Sequence, residues 1–286
     1  MPEATGRRPA FSGSLKPSGA AKKRFTPNHG FRIVCSMQKN PPTDQATRKT
    51  QVSLVIPVYN EEANLPILMR EIAEAMERQA RSWQVLFVDD DSRDNSLQAI
   101  RALAASDERV EYISFASNKG QSAAFAAGFQ EAQGETIVTL DSDLQNNPAD
   151  IPAMLELFDQ GYDMVIGWRE KRQDSRIKLW ASKFANAVRN RLSHETVRDT
   201  GCSLKVLRAS MAQRIPMFTG MHRFLPTLMK MQGASVAEMP VSHRPRLHGT
   251  SKYGILDRAF SAFYDLLAVR WMQRRSFLYE IKERKK

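Results

Sequence analysis

The chain is 286 residues long and 42% hydrophobic, enough to bury a full core in one large domain. Two cysteines, Cys35 and Cys202, build no disulfide framework and point to a reducing compartment, and no apolar run approaches the ~20 residues that cross a bilayer. The net charge of +11 is uneven, with +8 on residues 1–50, −13 on residues 51–164 and +16 on residues 165–286; this argues against a single basic face for nucleic acid and for an acidic, cation-binding site beside a surface that meets phosphate or anionic lipid.

Residues 1–50 are rich in Pro, Ser, Gly and Lys/Arg without sustained periodicity, which predicts disorder. They lack the apolar core of a secretory signal. Such a leader reads as a transit peptide or as an over-called start, because Met37 sits just before the domain. Residues 52–59 then read as a buried strand, and 60–62 open a helix whose apolar face is Leu65, Leu68, Met69, Ile72 and Met76. A second strand at 84–89 ends in Asp89-Asp90-Asp91-Ser92-Arg93-Asp94, where Ser92 or Asp94 caps a helix running to about Ala104. Residues 110–115 are a third strand, and 118–121 turn into an Ala-rich helix ending near Gly134. A strand at 137–140, a helix at 151–158 and a strand at 163–167 complete the alternation. Strands and helices at this spacing predict an α/β fold with a parallel sheet.

The chemistry-bearing residues fall at strand carboxyl ends, the edge where open α/β sheets bind ligands. Asp141 and Asp143 stand two apart, so both carboxylates can face one point. With Gln145 nearby, they suit Mg²⁺ or Mn²⁺ held partly by a substrate's phosphates. Equally, an Asp-x-Asp pair followed by Asn and Pro makes a polar turn. Three further polar clusters lie at the same edge: Tyr59-Asn60-Glu61, Asp89 to Asp91, and Asn118 to Gln121. Pro57 and Tyr59 can flank a nucleobase and Asp90 can accept from a base N–H, although strand termination and helix capping use the same residues. No Gly-x-Gly-x-x-Gly and no Walker lysine occurs.

These motifs together resemble the nucleotide-sugar half of family 2 glycosyltransferases: Val55-Ile-Pro-Val-Tyr-Asn-Glu61, Val88-Asp-Asp-Asp-Ser92, Asn118-Lys-Gly120 and Leu140-Asp-Ser-Asp-Leu-Gln-Asn-Asn-Pro148. The Asp-x-Asp-Leu-Gln form is similar to the polyprenyl-phosphate branch, which contains dolichyl-phosphate mannose synthases and undecaprenyl-phosphate enzymes. The resemblance covers about residues 51–270. It implies a GT-A fold and metal-dependent, inverting transfer of one sugar from a UDP- or GDP-sugar to undecaprenyl or dolichyl phosphate. It casts Asp141, Asp143 and Gln145 as catalytic and metal residues, and Pro57, Tyr59, Asn60, Glu61, Asp89, Asp90, Asn118, Gly120 and Gln121 as nucleotide-sugar contacts. Asp91 departs from the family, which more often has Gly there.

In the basic half, Arg169 to Lys183 alternate with Trp180, Phe184, Val188 and Leu192 on a predicted amphipathic helix, either an ordinary surface helix or one lying at a bilayer. Lys178 and Ser182 lie one turn apart and can address one anion. Asp199-Thr-Gly-Cys-Ser203 resembles the family motif leading back into the sheet, and Cys202 reads as a packed residue rather than a nucleophile. Arg223 stands where the family has a phosphate-contacting Arg. Arg246-Leu-His-Gly-Thr-Ser-Lys252 resembles the loop whose cations, here Arg246 and Lys252, contact donor diphosphate and acceptor phosphate. The acceptor-phosphate candidates are therefore Lys178, Ser182, Arg223 and Arg246. Residues 254–275 predict a helix with Leu256, Phe260, Phe263, Leu267 and Trp271 on one stripe, a core-docking face by default and a monotopic anchor by its aromatics and basic end.

The chain thus divides into a disordered basic leader (1–50), a GT-A domain (51–253, with a nucleotide-sugar and metal half at 51–150 and an acceptor half at 151–253) and an amphipathic helix with a basic tail (254–286). No transmembrane helix is expected. The expected location is the cytoplasmic face of the membrane, peripherally bound. Many relatives continue into transmembrane helices after this point, which makes a membrane partner subunit an expectation. A family 2 enzyme with a soluble saccharide or protein acceptor, or a basic nucleic-acid-binding protein, are the alternative readings.

Overall fold

The computed structural model describes residues 50–169, 197–245, 255–277 and 283, with the backbone alone for 255–262. Its strands are β1 (Val52–Val58), β2 (Trp83–Asp89), β3 (Val110–Ser114), β4 (Thr136–Thr139), β5 (Met164–Arg169), β6 (Lys205–Arg208) and β7 (Val236–Val241). The helices are α1 (Leu65–Met76), α2 (Ser96–Ser106), α3 (Gln121–Glu131), α4 (Ile151–Phe158), α5 (Ala209–Ala212), α6 (Leu225–Met231) and α7 (Ile255–Arg275). The strands form one sheet in the order β3-β2-β1-β4-β6-β5-β7.

β1 pairs in parallel with β2 and β4, β2 with β3, and β5 with β7, whereas β6 runs antiparallel to both β4 and β5. All strands except β6 therefore end at the same edge of the sheet. The central strands are apolar on both faces because helices cover both. Leu54, Ile56 and Phe87 pack with Leu68 and Ile72 of α1, Ile100 of α2 and Met154 of α4. Val55, Leu86 and Val88 pack on the other face with Phe125 and Phe129 of α3, Leu225 and Leu228 of α6, and Leu266 of α7. The residue types explain the strength of this core, since each fully buried Leu, Ile or Phe contributes about 1.5–3 kcal/mol relative to exposure.

The apolar face expected for α1 is observed, with Leu65, Leu68, Met69, Ile72 and Met76 all buried. The helix starts at Leu65 rather than at Asn60, because Asn60 takes a left-handed turn, φ 55°. α2 starts at Ser96, whose N–H is accepted by Asp94 Oδ1 (3.0 Å), the second of the two expected caps, while the Ser92 hydroxyl accepts from the Asn60 N–H instead. α3 ends at Glu131, three residues before Gly134. The reversed β6 and the edge strand β7 add to the parallel sheet that the alternation predicts.

The C-terminal helix corrects the core-docking expectation. Its covered face is Leu266, Val269 and the partly buried Met272. The predicted stripe faces outward, with Phe263, Leu267 and Trp271 exposed beside Tyr264 and Phe277. The side chains of Leu256 and Phe260 lie outside the described residues.

Candidate active site

The loops at the carboxyl edge are sewn to one another by their own polar side chains. Asn60 donates its N–H to Ser92 Oγ (3.0 Å) and accepts from the Arg93 N–H at Oδ1 (2.7 Å). Glu61 donates its N–H to Ser96 Oγ (2.7 Å), and its carboxylate accepts from Asn64 Nδ2 (2.6 Å). Pro57 and Tyr59 are half-buried at the end of β1, and the Pro57 carbonyl accepts from Ser142 Oγ (3.0 Å). That contact ties β1 directly to the Asp141–Asp143 loop.

Of the three consecutive carboxylates that begin at the last residue of β2, Asp89 and Asp90 have different partners. Asp89 is buried and accepts from the Ser92 N–H (3.3 Å) and Ser114 Oγ (2.9 Å). Asp90 accepts the N–H groups of Lys119 (2.6 Å) and Gly120 (2.8 Å), one on each oxygen. Asn118 Nδ2 returns a bond to the Asp90 carbonyl (3.0 Å). Asp89 and Asp90 thus shape the loops after β2 and β3 from within. Asp91 sits at φ 59°, which accounts for the departure from the family's Gly: the turn needs a left-handed residue, and Asp is among the few side chains that tolerate one.

Gly120 takes φ 85° at the N-cap of α3, and the helix's first residue reaches the carboxylate pair. Gln121 Nε2 donates to Asp141 Oδ1 (2.7 Å). Burial pushes the Asp141 carboxyl up to about 6, and the neighbouring charge of Asp143 adds to this; Ser203, Lys205 and Arg169 act in the opposite sense. Asp143 is buried and accepts the Gln145 N–H at Oδ1 (3.2 Å). Two carboxylates that repel each other at a ligand-binding edge fit a cation. Two carboxylates and an amide are fewer ligands than a closed metal cage uses, and no group of three or more His, Cys, Asp or Glu is placed to hold a metal ion among the described residues. That donor set suits Mg²⁺ or Mn²⁺ completed by substrate phosphates.

Sequence reasoning missed what stands behind the pair. Lys205, at the start of reversed β6, is buried and donates to the Cys202 carbonyl. Burial pushes its ammonium down, while Asp141 and Asp199 hold it up. Arg169 forms a two-pronged ion pair with Asp199 (2.7 and 2.9 Å). A strand lysine reads as solvent-facing from sequence, so Lys205 carried no signal. Cys202 is buried, and burial pushes its thiol up, which removes it as a nucleophile.

Arg223 lies in a 3₁₀ turn, Met221–Phe224, between β6 and α6, with its charge beside Asp265 of α7. His222 Nδ1 meets Ser122 Oγ at 2.8 Å, which attaches this turn to the N-terminus of α3 one residue from Gln121. Lys178, Ser182, Arg246 and Lys252 lie outside the described residues.

The mostly parallel sheet with its paired carboxylates after β4 is a GT-A-type fold. It superposes on glucosyl-3-phosphoglycerate synthase from Mycobacterium tuberculosis, in a crystal structure with Mn²⁺ and UDP-glucose, with a TM-score of 0.57 at 18% identity over 77% of this chain and 79% of that one. The glycosyl transferase family 2 model matches residues 53–216, and the chain belongs to that family. It is 36% identical over 240 residues to dodecaprenyl-phosphate galacturonate synthase of Rhizobium johnstonii, covering 81% of this chain and 70% of that protein. It is 38% identical over 217 residues to undecaprenyl-phosphate 4-deoxy-4-formamido-L-arabinose transferase of Pseudomonas aeruginosa, covering 76% of this chain and 64% of that one. The chain thus spans just under two thirds of the Pseudomonas relative.

Proposed function

We propose that this enzyme transfers one sugar from a nucleotide-diphosphate sugar to a polyprenyl phosphate, with inversion, on the cytoplasmic surface of a membrane. The observation that carries the reading is the Asp141–Asp143 pair at the sheet's ligand edge, in a chain similar over three quarters of its length to two polyprenyl-phosphate sugar transferases. A phosphate monoester, with a second pKa of ~6, is largely ionised at neutral pH and needs no general base. Its oxygen attacks the anomeric carbon as the bond to the nucleotide diphosphate breaks, and the electron pair leaves with that diphosphate.

Asp141, Asp143 and Gln145 would hold Mg²⁺ or Mn²⁺, which supplies charge neutralisation at the leaving diphosphate. Gln121 orients Asp141 through its amide, and the buried Lys205, bonded to the Cys202 carbonyl, favours the ionised form of Asp141 to the extent that it is itself protonated. Pro57, Tyr59 and the loops shaped by Asn60, Glu61, Asp89, Asp90, Asn118 and Gly120 would receive the nucleotide. Arg246 and Lys252 are candidates for the diphosphate, and Lys178, Ser182, Arg223 and Arg246 for the acceptor phosphate.

The lipid acceptor is favoured over a soluble one by α7. Phe263, Tyr264, Leu267 and Trp271 on the helix, and Phe277 two residues past its end, are 45–79% exposed, and only one other large hydrophobic, Tyr112, is exposed among the described residues. Arg270, Arg274 and Arg275 follow along the same helix. An aromatic face with cations at its end is suited to the headgroup region. No helix of the described residues is long and apolar enough to cross a membrane.

The test offers the purified protein polyprenyl phosphate, Mn²⁺ or Mg²⁺, and a panel of labelled UDP- and GDP-sugars. Label from one donor should enter the organic phase. Nucleotide binding without label in the organic phase for any donor, in the presence of vesicles, would overturn the acceptor assignment.

A further inference from the structure

The loop from Leu140 to Asn147 carries the proposed metal residues, and it is not relaxed. Leu144, between Asp143 and Gln145, sits at φ 60° and is buried. A leucine in the left-handed region persists only where its surroundings over-determine it. From the core side, Leu144 packs in the apolar cluster, and Asn146 is held by Ser203 Oγ (3.2 Å) and against Cys202 Sγ (3.5 Å).

From the outer side the holding group is Arg244. The chain leaving β7 turns along the loop, with His243 bridged antiparallel to Asn146 and the Ser242 N–H donated to Asp150 Oδ2 (2.8 Å). Arg244 donates its backbone N–H to the Gln145 carbonyl (2.8 Å). One guanidinium nitrogen bonds both oxygens of Glu71 on α1 (2.8 and 2.9 Å), and the other bonds Asn147 Oδ1 (2.7 Å). A single side chain thus joins α1, the extension of β7 and the far end of the loop. A planar fork with fixed donor directions is needed to serve a carboxylate and an amide at once, which an ammonium does not do.

We propose that Arg244 is a positioning residue for the metal loop: by fastening Gln145 and Asn147 to Glu71 it sets where Asp143 and Gln145 meet the metal–diphosphate. The inference rests on the metal reading of Asp141 and Asp143. It does not require Arg244 to touch substrate, since the bonds described join it to Glu71, Asn147 and Gln145 of the same chain.

The test measures Mn²⁺-dependent binding of UDP and GDP by calorimetry, together with unfolding midpoints, for the wild type, Arg244→Ala, Arg244→Lys and Glu71→Gln. The nucleotide used is whichever the wild type binds with Mn²⁺; if it binds neither more tightly with Mn²⁺ than without, the underlying metal reading fails before the variants are considered. Outer partners of metal ligands typically change affinity by about 10–100-fold. Arg244→Ala should weaken Mn²⁺-dependent binding about 10-fold while metal-free nucleotide binding stays at the wild-type value. Arg244→Lys should not rescue it, and Glu71→Gln should fall between. A merely structural role would lower the unfolding midpoint and leave the affinity of the folded fraction unchanged, and that result would overturn the proposal. Should Arg244→Ala not fold, Glu71→Gln with wild-type Mn²⁺-dependent affinity would overturn it equally.

Discussion

Trp271→Ala tests the membrane face of α7. Trp271 is 65% exposed, and an aromatic side chain offers about 150–250 Å², so about 150 Å² of it faces solvent. At about 25 cal/mol per Å², complete transfer into an apolar phase is worth about 4 kcal/mol. A helix lying in the interface buries its face part-way, so about half of that, about 2 kcal/mol, is available to partitioning. Trp271→Ala should therefore weaken vesicle binding about 30-fold, at about 1.4 kcal/mol per tenfold. Because the side chain faces out, the unfolding midpoint should barely move; exposed substitutions stay within about 0.5 kcal/mol. The assay is co-sedimentation with phosphatidylglycerol–phosphatidylcholine vesicles at fixed salt. Equal partitioning of Trp271→Ala and wild type would refute the argument that this face meets lipid.

Three further outcomes are expected. Asp143→Ala, or excess chelator on the wild type, should abolish sugar transfer while the circular dichroism spectrum is retained, and full turnover in either case would contradict the metal role. The raised pKa of Asp141, about 6 against an ordinary 3.8, means the folded state favours the proton. Its contribution to stability is complete below the ordinary value and lost as pH rises through about 6. Since a metal needs the ionised carboxylate, Mn²⁺ should raise the unfolding midpoint more at about pH 7.5 than at about pH 5; a pH-independent Mn²⁺ effect would count against Asp141 as a ligand. Gly128→Ala would place a Cβ 2.2 Å from Val55 Cγ1 at the contact of α3 with β1. Overpacking of this kind costs about 1–3 kcal/mol, and an unchanged unfolding midpoint would show that the helix can shift away.

The α/β alternation was legible because apolar spacing and strand length both reported it, and the α1 face from Leu65 to Met76 is the clearest case. In α7 periodicity failed for a physical reason. The helix carries two apolar stripes, Phe263–Leu267–Trp271 and Leu266–Val269–Met272, and spacing identifies stripes without saying which has a partner. The smaller aliphatic stripe packs with Leu225 and Leu228 of α6. β7 hid behind half-buried residues and Pro240, as edge strands do. At the site, Asp141 and Asp143 were legible from their spacing at a strand end. Asp89, Asp90, Asn60 and Glu61 were located, but their bonds to neighbouring loops depend on backbone N–H groups that residue names do not reveal. Lys205 and Arg244 act through tertiary partners from other segments, and no local pattern announces them.

The reversed strand also bears on how the protein is made. β6 lies between β4 and β5, although β5 precedes it in the chain. As the polypeptide leaves the ribosome, β4 therefore stays an open edge, with unpaired N–H and C=O groups on a buried, apolar strand, until residues 205–208 arrive. β5 waits for the same event, since β6 and β7 are its partners in the sheet. Unpaired edges of this kind recruit foreign strands. A chain cut off before β6 should consequently aggregate rather than persist as a small sugar-nucleotide-binding module, and shielding by a chaperone would matter most between synthesis of β4 and synthesis of β6.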